Sequence, residues 1–316
     1  LHVNGLPFEK VLYLHIHHEP NSHGRAEVKG VVPTEQARRL VEQTDETTGI
    51  EITTDAEEQP NCLFYGVVSI LNAEQQAEYA VLHIVAETTS SRIDAKKNNR
   101  TFQNTGKTYG QILNQVLGGK GTVSVMVTDR PIGELIMQCD ETDWEFMIRM
   151  ASQLGVPAFA NITARMPQIY IGLPPVSRTR EIQTLTYNYV KSNSEYRAST
   201  ASSVLGEDFS SDTLKSYDYL YLGDTVLFEG KSLQVKAVDA KLSDGILECT
   251  YSLGLKTSFQ VNAIKNRNAS GRMMTGRVTA VEADKVQVFL HSVDSEEDGS
   301  SNWWFPYSTA YSSADG

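Results

Sequence analysis

Hydrophobic and polar residues alternate over the first part of the chain, which is the pattern of β-strands with one buried face. Residues 8–17 and 25–31 alternate on either side of a turn signal at residues 21–24, and this predicts a hairpin. Pro33 opens a short predicted helix. Further strands are predicted at residues 49–53, 63–71 and 79–86. Together these elements predict a small antiparallel β-barrel over residues 1–88.

Two helices are predicted in the next segment, because its apolar residues recur with helical spacing. Thr108 and Gln111 have the spacing of a capping box, as do Thr142 and Glu145. The second helix places five apolar residues on one face: Trp144, Met147, Ile148, Ala151 and Leu154. Short strands are predicted at residues 122–127, 159–164 and 168–171. Residues 89–180 are therefore predicted to form an α/β insert domain.

The strand pattern returns at residue 181. Strands are predicted at residues 182–189, 214–222, 226–229, 232–241 and 246–255. Asp244 and Gly245 form a two-residue hairpin signal between the last two strands. These strands predict a second barrel over residues 181–260, similar in size to the first.

Residues 273–316 follow a polar linker and again show strand patterns. The predicted strands are residues 274–281, 285–291 and 303–307. They make about half of a small OB-type barrel, so we expect the natural protein to continue beyond this segment. The predicted fold class is thus mainly β with α insertions: two similar barrels, a helix-containing insert between them, and the start of an OB-type barrel.

The charge excludes some classes of partner. A formal net charge of -11 makes the chain repel nucleic acid and anionic lipid, so we predict no specific nucleic-acid binding. No apolar run approaches the roughly 18–20 residues that a membrane helix needs. Cys62, Cys139 and Cys249 are too far apart to indicate a disulfide framework or a zinc site, which fits synthesis in the cytoplasm.

Four histidines near the N-terminus could indicate a metal site: His15, His17, His18 and His23. His15 and His17 share one strand face, but the sequence offers no clear carboxylate or cysteine partner. A polar strand face or a subunit interface is the favoured interpretation. The acidic run at residues 294–298 resembles the start of a calcium loop, but Phe305 stands where the last ligand belongs. We therefore predict no metal, cofactor or catalytic residue.

Three further patterns have both a functional and a structural interpretation. The segment Gly106-Lys107-Thr108 resembles the end of a phosphate-binding loop, but Thr101 replaces the required glycine. The basic run 92–107 is interpreted as a solvated loop. Several tyrosines could stack nucleic-acid bases: Tyr187, Tyr189, Tyr217, Tyr219 and Tyr221. Acidic neighbours surround them, so packing against a barrel face or a subunit interface is the favoured role.

Three stretches, in this order, resemble the contractile-tail baseplate hub family, which includes VgrG spike proteins and phage late-control D proteins. The first is Leu63-Phe64-Tyr65-Gly66-Val67-Val68, similar to an apolar strand with a central glycine. The second is Arg100-Thr101-Phe102-Gln103, followed by a helix at residues 112–117. The third runs from Gln138 through Thr142-Asp143-Trp144 and Arg149 to Gly155.

The resemblance implies a structural, non-enzymatic role. It implies a homotrimer that adapts the six-fold tail tube to the three-fold spike of a contractile phage tail or injection machine. The implied partners are the tail tube protein, a spike or spike-tip protein and other baseplate proteins. The implied location is a virion tail or baseplate, after synthesis in bacterial cytoplasm. The apolar run Trp303-Trp304-Phe305 is the predicted trimer interface.

Two other classes of function stay open at the sequence level. The chain could belong to a tail-tip or spike protein whose wall-degrading enzyme domain lies outside this sequence. It could also be a β-barrel adhesin that binds a cell-surface carbohydrate.

Overall fold

The alternating segments of the sequence form strands, and most of these strands share one sheet. The computed structural model describes residues 1–55, 61–76, 78–176, 178–182, 184–191, 210–291, 293 and 303–307. The first β-unit consists of β1 (His2–Asn4), β2 (Lys10–His18), β3 (Arg25–Val32), α1 (Thr34–Gln43), β4 (Gly49–Thr53), β5 (Cys62–Gln75) and β6 (Ala80–Glu87). The strands therefore follow the predicted order, with ends shifted by a few residues.

The next segment contains two helices with capping boxes and several short strands. It consists of β7 (Lys97–Phe102), α2 (Tyr109–Leu117), β8 (Thr122–Val125), β9 (Ile136–Thr142), α3 (Asp143–Gln153), β10 (Ala158–Ala160) and β11 (Gln168–Ile171). Strands β7 and β9 form one small sheet, and β10, β11 and β8 form another. We call this segment the insert.

The chain then returns to strands. The second β-unit consists of β12 (Thr179–Arg180), β13 (Thr186–Lys191), β14 (Ser210–Ser216), β15 (Thr225–Phe228), β16 (Lys231–Ser243) and β17 (Ile246–Gly254). The terminal hairpin consists of β18 (Gly276–Glu282) and β19 (Lys285–Leu290), to which β20 (Trp304–Pro306) adds a third strand. The mainly β architecture with helical insertions is confirmed.

The two β-units are joined into one 12-stranded sheet. Its central path runs β1-β4-β5-β6-β3-β2-β16-β17-β14-β13, with β12 and β15 attached beside β16. Strand β2 of the first unit pairs antiparallel with β16 of the second. We call this pairing the unit joint. The segments predicted as two barrels are thus hydrogen-bonded to each other, although more than 200 residues separate β2 from β16 in the chain.

One hydrophobic core serves both β-units, and a separate core serves the insert. Leu14 and Ile84 of the first unit lie in the same buried cluster as Val238 and Tyr251 of the second. The insert core forms around the apolar faces of α2 and α3, including the fully buried Met147. Because the core crosses the unit joint, the two β-units stabilise each other's packing.

Both predicted capping boxes are present. The Thr108 side chain accepts a hydrogen bond from the backbone N–H of Gln111, and Thr142 accepts one from Glu145. Helix α2 ends at Gly118, whose φ of 54° is the left-handed conformation that favours glycine. The Asp244-Gly245 turn has φ values of 50° and 82°, as the predicted hairpin requires.

Three local predictions are wrong. The basic run 92–107 is not a solvated loop, because β7 lies within it and pairs with β9. The strand predicted at residues 214–222 ends at Ser216, since the chain then bends to bury Tyr219 and Leu220. The strand predicted at residues 159–164 ends at Ala160.

Within the described residues, no helix is long and apolar enough to cross a membrane.

Candidate functional site

The residues of the third signature stretch meet in a buried polar network between β9 and α3. The side-chain amide of Gln138 is fully buried, and its Nε2 donates to the carbonyl oxygens of Glu141 and Thr142 at 3.1 and 3.2 Å. It also lies 2.9 Å from Oδ1 of Asp143, to which Arg100 donates at 2.8 Å. Gln138 therefore fixes the turn that starts α3, and Arg100 of the second signature stretch is tied to the same turn.

A buried ion pair continues this network. Arg149 donates from Nε and Nη2 to the two carboxylate oxygens of Glu141 at 2.7 and 2.8 Å. Nη2 also donates to the Met137 carbonyl oxygen at 2.6 Å. Both side chains are about 10% exposed, so water screens the pair weakly. The planar guanidinium holds α3 against β9 through bonds in fixed directions.

A third group of polar side chains connects the first β-unit to the insert. His23 lies 3.1 Å from Asp94 and 2.8 Å from Ser90, and its ring packs on Trp144 with centroids 4.6 Å apart. Asp94 also accepts a hydrogen bond from the Thr142 hydroxyl. Burial alone would raise the pKa of Asp94, but hydrogen bonds from His23 and Thr142 outweigh it and hold that pKa below its usual range. Each polar group in this network thus has a structural partner.

A second polar cluster lies at the unit joint. It contains His15 and His17, for which the sequence showed no clear carboxylate partner. His15 Nε2 and His17 Nδ1 lie 2.6 and 3.4 Å from Oδ2 of Asp239. Lys241 lies 2.9 Å from the other carboxylate oxygen. Burial alone would raise the pKa of Asp239, but hydrogen bonds from His15 and Lys241 hold it lower. The missing carboxylate therefore comes from β16, more than 200 residues away.

This cluster has two chemical interpretations. His15, His17 and Asp239 offer ligand atoms within 4.8 Å of one another, which suits a metal ion. The Lys241 ammonium group, however, already neutralises the carboxylate and would repel a cation. We interpret the cluster as an ionic contact that stabilises the unit joint, and the absence of a metal ligand stays a prediction.

The tyrosines for which packing was favoured over base stacking contact protein groups. The Tyr219 hydroxyl donates to the Leu63 carbonyl oxygen at 3.0 Å, and the Tyr221 hydroxyl donates to that of Cys62. Tyr187 donates to Asp212 at 2.5 Å. Tyr219 and Tyr221 thereby connect the second β-unit to β5 of the first. Packing between the two β-units is the role that these contacts support.

The other candidate residues have local roles. Thr108 caps α2, and Lys107 donates to Gln115 at 2.9 Å instead of facing a nucleotide loop. The backbone N–H of Trp303 donates to Gln103 of the insert at 3.2 Å, and the side chains of residues 303–305 are half-buried. This places the predicted trimer interface near a contact between the terminal strands and the insert. The acidic run at residues 294–298 lies outside the described residues.

His18 lies in the wall of a cavity of about 320 Å³, between the unit joint and the insert. Burial lowers the pKa of His18 to about 3, whereas an unfolded chain has a value of 6.5. Between these values the unfolded state binds more protons, so stability is present above about pH 6.5 and is lost as pH falls. The loss is about 1.4 kcal/mol per pH unit for one proton.

Replacing His18 with Leu is therefore expected to flatten the acid side of the stability profile by about 2 kcal/mol between pH 6.5 and pH 5. Urea unfolding of both proteins at several pH values measures this difference. A His2→Gln variant is the matched control, because His2 is exposed at the edge of the sheet. A His18→Leu profile as steep as that of the wild type would contradict the assignment.

The two β-units have the same topology. In the first unit the strands lie in the order β2-β3-β6-β5-β4, and in the second they lie in the order β13-β14-β17-β16-β15. All of these neighbours are antiparallel. Strand β5 has a bulge between Val68 and Ile70, and β16 has one at the corresponding place, between Val235 and Ala237. The chain therefore contains a structural repeat.

Residues 42–166 match the family model of the phage tail baseplate hub (GPD), and this range contains all three signature stretches. The resemblance seen in the sequence is confirmed. A comparison with curated proteins finds no match.

Solved structures show the same fold at low sequence identity. A type VI secretion component from Escherichia coli, described as structurally similar to T4 bacteriophage tail proteins gp27 and gp5, is 14% identical with a TM-score of 0.66; the match covers 93% of this chain and 90% of that chain. A 43 kDa prophage tail protein from Shewanella oneidensis is 12% identical with a TM-score of 0.58, covering 83% and 98%. A tail protein from Neisseria meningitidis is 9% identical with a TM-score of 0.57, covering 81% and 97%.

Proposed function

We propose that this protein is a non-enzymatic, homotrimeric baseplate hub that adapts a six-fold tail tube to a three-fold spike. The observation that carries the proposal is the repeated β-unit. Three chains with two equivalent β-units each present six units around one axis, which matches a six-fold ring on one side and a three-fold object on the other. Residues 1–88 and 181–260 supply the two units.

The remaining segments have places in this scheme. The insert, residues 89–180, is attached to the first unit through the contact of His23 with Asp94. Residues 273–316 are proposed to be the start of an OB-type domain that leads towards the spike, and the half-buried run Trp303-Trp304-Phe305 is proposed to extend the trimer interface. The proposed partners are the tube protein, a spike or spike-tip protein and other baseplate proteins.

The solution mass tests the proposal. Light scattering over a range of concentrations is expected to give three times the chain mass of 35.0 kDa. Electron microscopy of the same sample is expected to show a ring with six lobes. A stable monomer at high concentration would contradict the trimer, and saturable carbohydrate binding by that monomer would favour an adhesin.

A further inference from the structure

The unit joint shows how one β-unit pairs with another. The second half of β16, beyond its bulge, pairs with β2 of the neighbouring unit. Asp239 lies opposite His17, and Ala240 lies opposite Ile16. Both Ile16 and Ala240 are fully buried. Unit-to-unit pairing therefore uses β2 of the first unit and the far half of β16 of the second.

The strand registers allow each residue of the joint to be matched with a residue of the other repeat. In the first unit, a row of directly paired residues crosses the sheet from β2 to β5. The row consists of Ile16, Ala26, Ala86 and Val68, and Val68 is the residue before the bulge of β5. In the second unit the corresponding row is Tyr189, Asp212, Leu253 and Val235, the residue before the bulge of β16. Tyr189 is therefore equivalent to Ile16.

The same alignment matches the other members of the joint. Val190 is equivalent to His17, because each follows the matched residue in its strand. Asn72 and Asp239 each lie four residues beyond the matched pair Val68 and Val235, so these two residues are equivalent. Ala73 is equivalent to Ala240 for the same reason. Strand β13 and the far half of β5, Ile70 to Gln75, thus correspond to β2 and the far half of β16, which already pair with each other inside the chain.

We propose that β13 of one protomer pairs antiparallel with the far half of β5, Ile70 to Gln75, of the next protomer. This inference rests on the proposed homotrimer and gives its partner surface: a second copy of this chain. The proposed register places Val190 opposite Asn72, Tyr189 opposite Ala73, and Asn188 opposite Glu74. We call this pairing the protomer seam.

The surfaces of the two strands fit this partner. Among the described residues, β13 is paired on one side by β14, and the far half of β5 is paired on one side by β6. Three apolar side chains along these strands are about half exposed: Ile70 at 56%, Tyr189 at 51% and Val190 at 47%. Sheet edges with exposed apolar residues favour pairing with another strand. Leu71 and Ala73 already pack on the sheet core, as their counterparts do at the unit joint.

The seam also closes the assembly. The seam joins two different surfaces of the same chain, so it is a head-to-tail contact. Such a contact forms a closed ring when the rotation from each protomer to the next adds up to a full turn. Going around a trimer, three unit joints alternate with three protomer seams. The seam differs chemically from the joint, since Val190 and Asn72 replace the His17–Asp239 ion pair.

A double-cysteine variant tests the seam and its register. Residues directly opposite in an antiparallel pair have Cβ atoms about 4.5–5.5 Å apart, close enough for a disulfide after small adjustment. In the variant Val190→Cys/Asn72→Cys, mild oxidation is expected to convert most of the protein into covalent dimers and trimers on a non-reducing gel. Reduction is expected to return it to the monomer band. Asn188→Cys/Glu74→Cys is a second pair with the same expectation.

The controls use the same chain. Val190→Cys/Gln76→Cys shifts one cysteine by four residues, about 13 Å along a strand, so it is expected to give little cross-linking. The wild type tests the native cysteines; Cys139 and Cys249 are buried, and burial raises the pKa of the Cys62 thiol to about 11, which disfavours its oxidation.

The outcomes separate the seam from the proposed function. Strong cross-linking of the two in-register pairs, with little from the shifted pair, supports the seam. A trimeric mass by light scattering without in-register cross-links would overturn the seam and leave the hub trimer in place. A monomeric mass for the wild type would overturn both.

Discussion

Replacing Arg149 with Met is expected to lower the free energy of unfolding by about 3–5 kcal/mol. The change leaves the Glu141 carboxylate buried without its partner, and a buried unpaired charge is costly. It also removes the hydrogen bond to the Met137 carbonyl oxygen. Urea denaturation followed by tryptophan fluorescence measures the loss, because Trp144 lies in the same helix.

Two variants show whether the cost comes from the buried charge. Arg100 is 34% exposed, so Arg100→Met removes a better-solvated ion pair and is expected to cost about 1 kcal/mol. Adding Glu141→Gln to Arg149→Met removes the orphaned charge, and part of the lost stability is expected to return. If Arg149→Met cost no more than Arg100→Met, the buried pair would not have the stabilising role that its geometry indicates.

Replacing Gly66 with Ala is expected to lower the free energy of unfolding by about 2–3 kcal/mol. A Cβ atom at this position would lie 2.4 Å from the Glu87 carbonyl oxygen and 2.6 Å from the ring of Phe64. Glu87 lies in β6, so its backbone cannot move without disturbing the pairing of β5 with β6. Thermal or urea unfolding of the variant at neutral pH measures the effect.

Gly106→Ala is the matched control for this prediction. Its Cβ atom would meet only the Asn104 side chain, at 3.4 Å. With space for the methyl group, this change is expected to be neutral or to stabilise by up to about 1 kcal/mol, since alanine reduces the freedom of the unfolded chain. Equal effects at Gly66 and Gly106 would show that the close approach of β5 and β6 does not require glycine.

These predictions concern the stretches that carry the family resemblance, and both assign them a folding role. Gly66 permits two strands to approach, Gln138 fixes the turn before α3, and Arg149 holds that helix on β9. Arg149 and its partner Glu141 also line an open pocket of about 790 Å³ beside residues 263–268, where the two side chains bind each other. The proposed work of the molecule therefore lies in its repeated sheet and the edges of that sheet.

The sequence by itself determined the elements whose signals are local. Alternation placed β2, β3 and β4, because strand periodicity depends on neighbouring residues. Thr108 and Thr142 marked the two helix starts, and Asp244-Gly245 marked a hairpin, because capping and turn geometry involve only a few consecutive residues. The order of the signature stretches gave the family resemblance. β7 was missed, since its polar sequence lacks the apolar face by which a strand is recognised.

Only the tertiary structure decided which distant segments meet. Asp239 reaches His15 across 224 positions, and the Tyr219 hydroxyl reaches Leu63 across 156. No local pattern specifies such pairs, because strand registers and a shared core depend on the packing of the whole chain. The same reason explains why the sequence predicted two similar barrels but not the unit joint between them. That joint, and the repeat of topology on each side of it, arises from the pairing of strands that lie far apart in the chain.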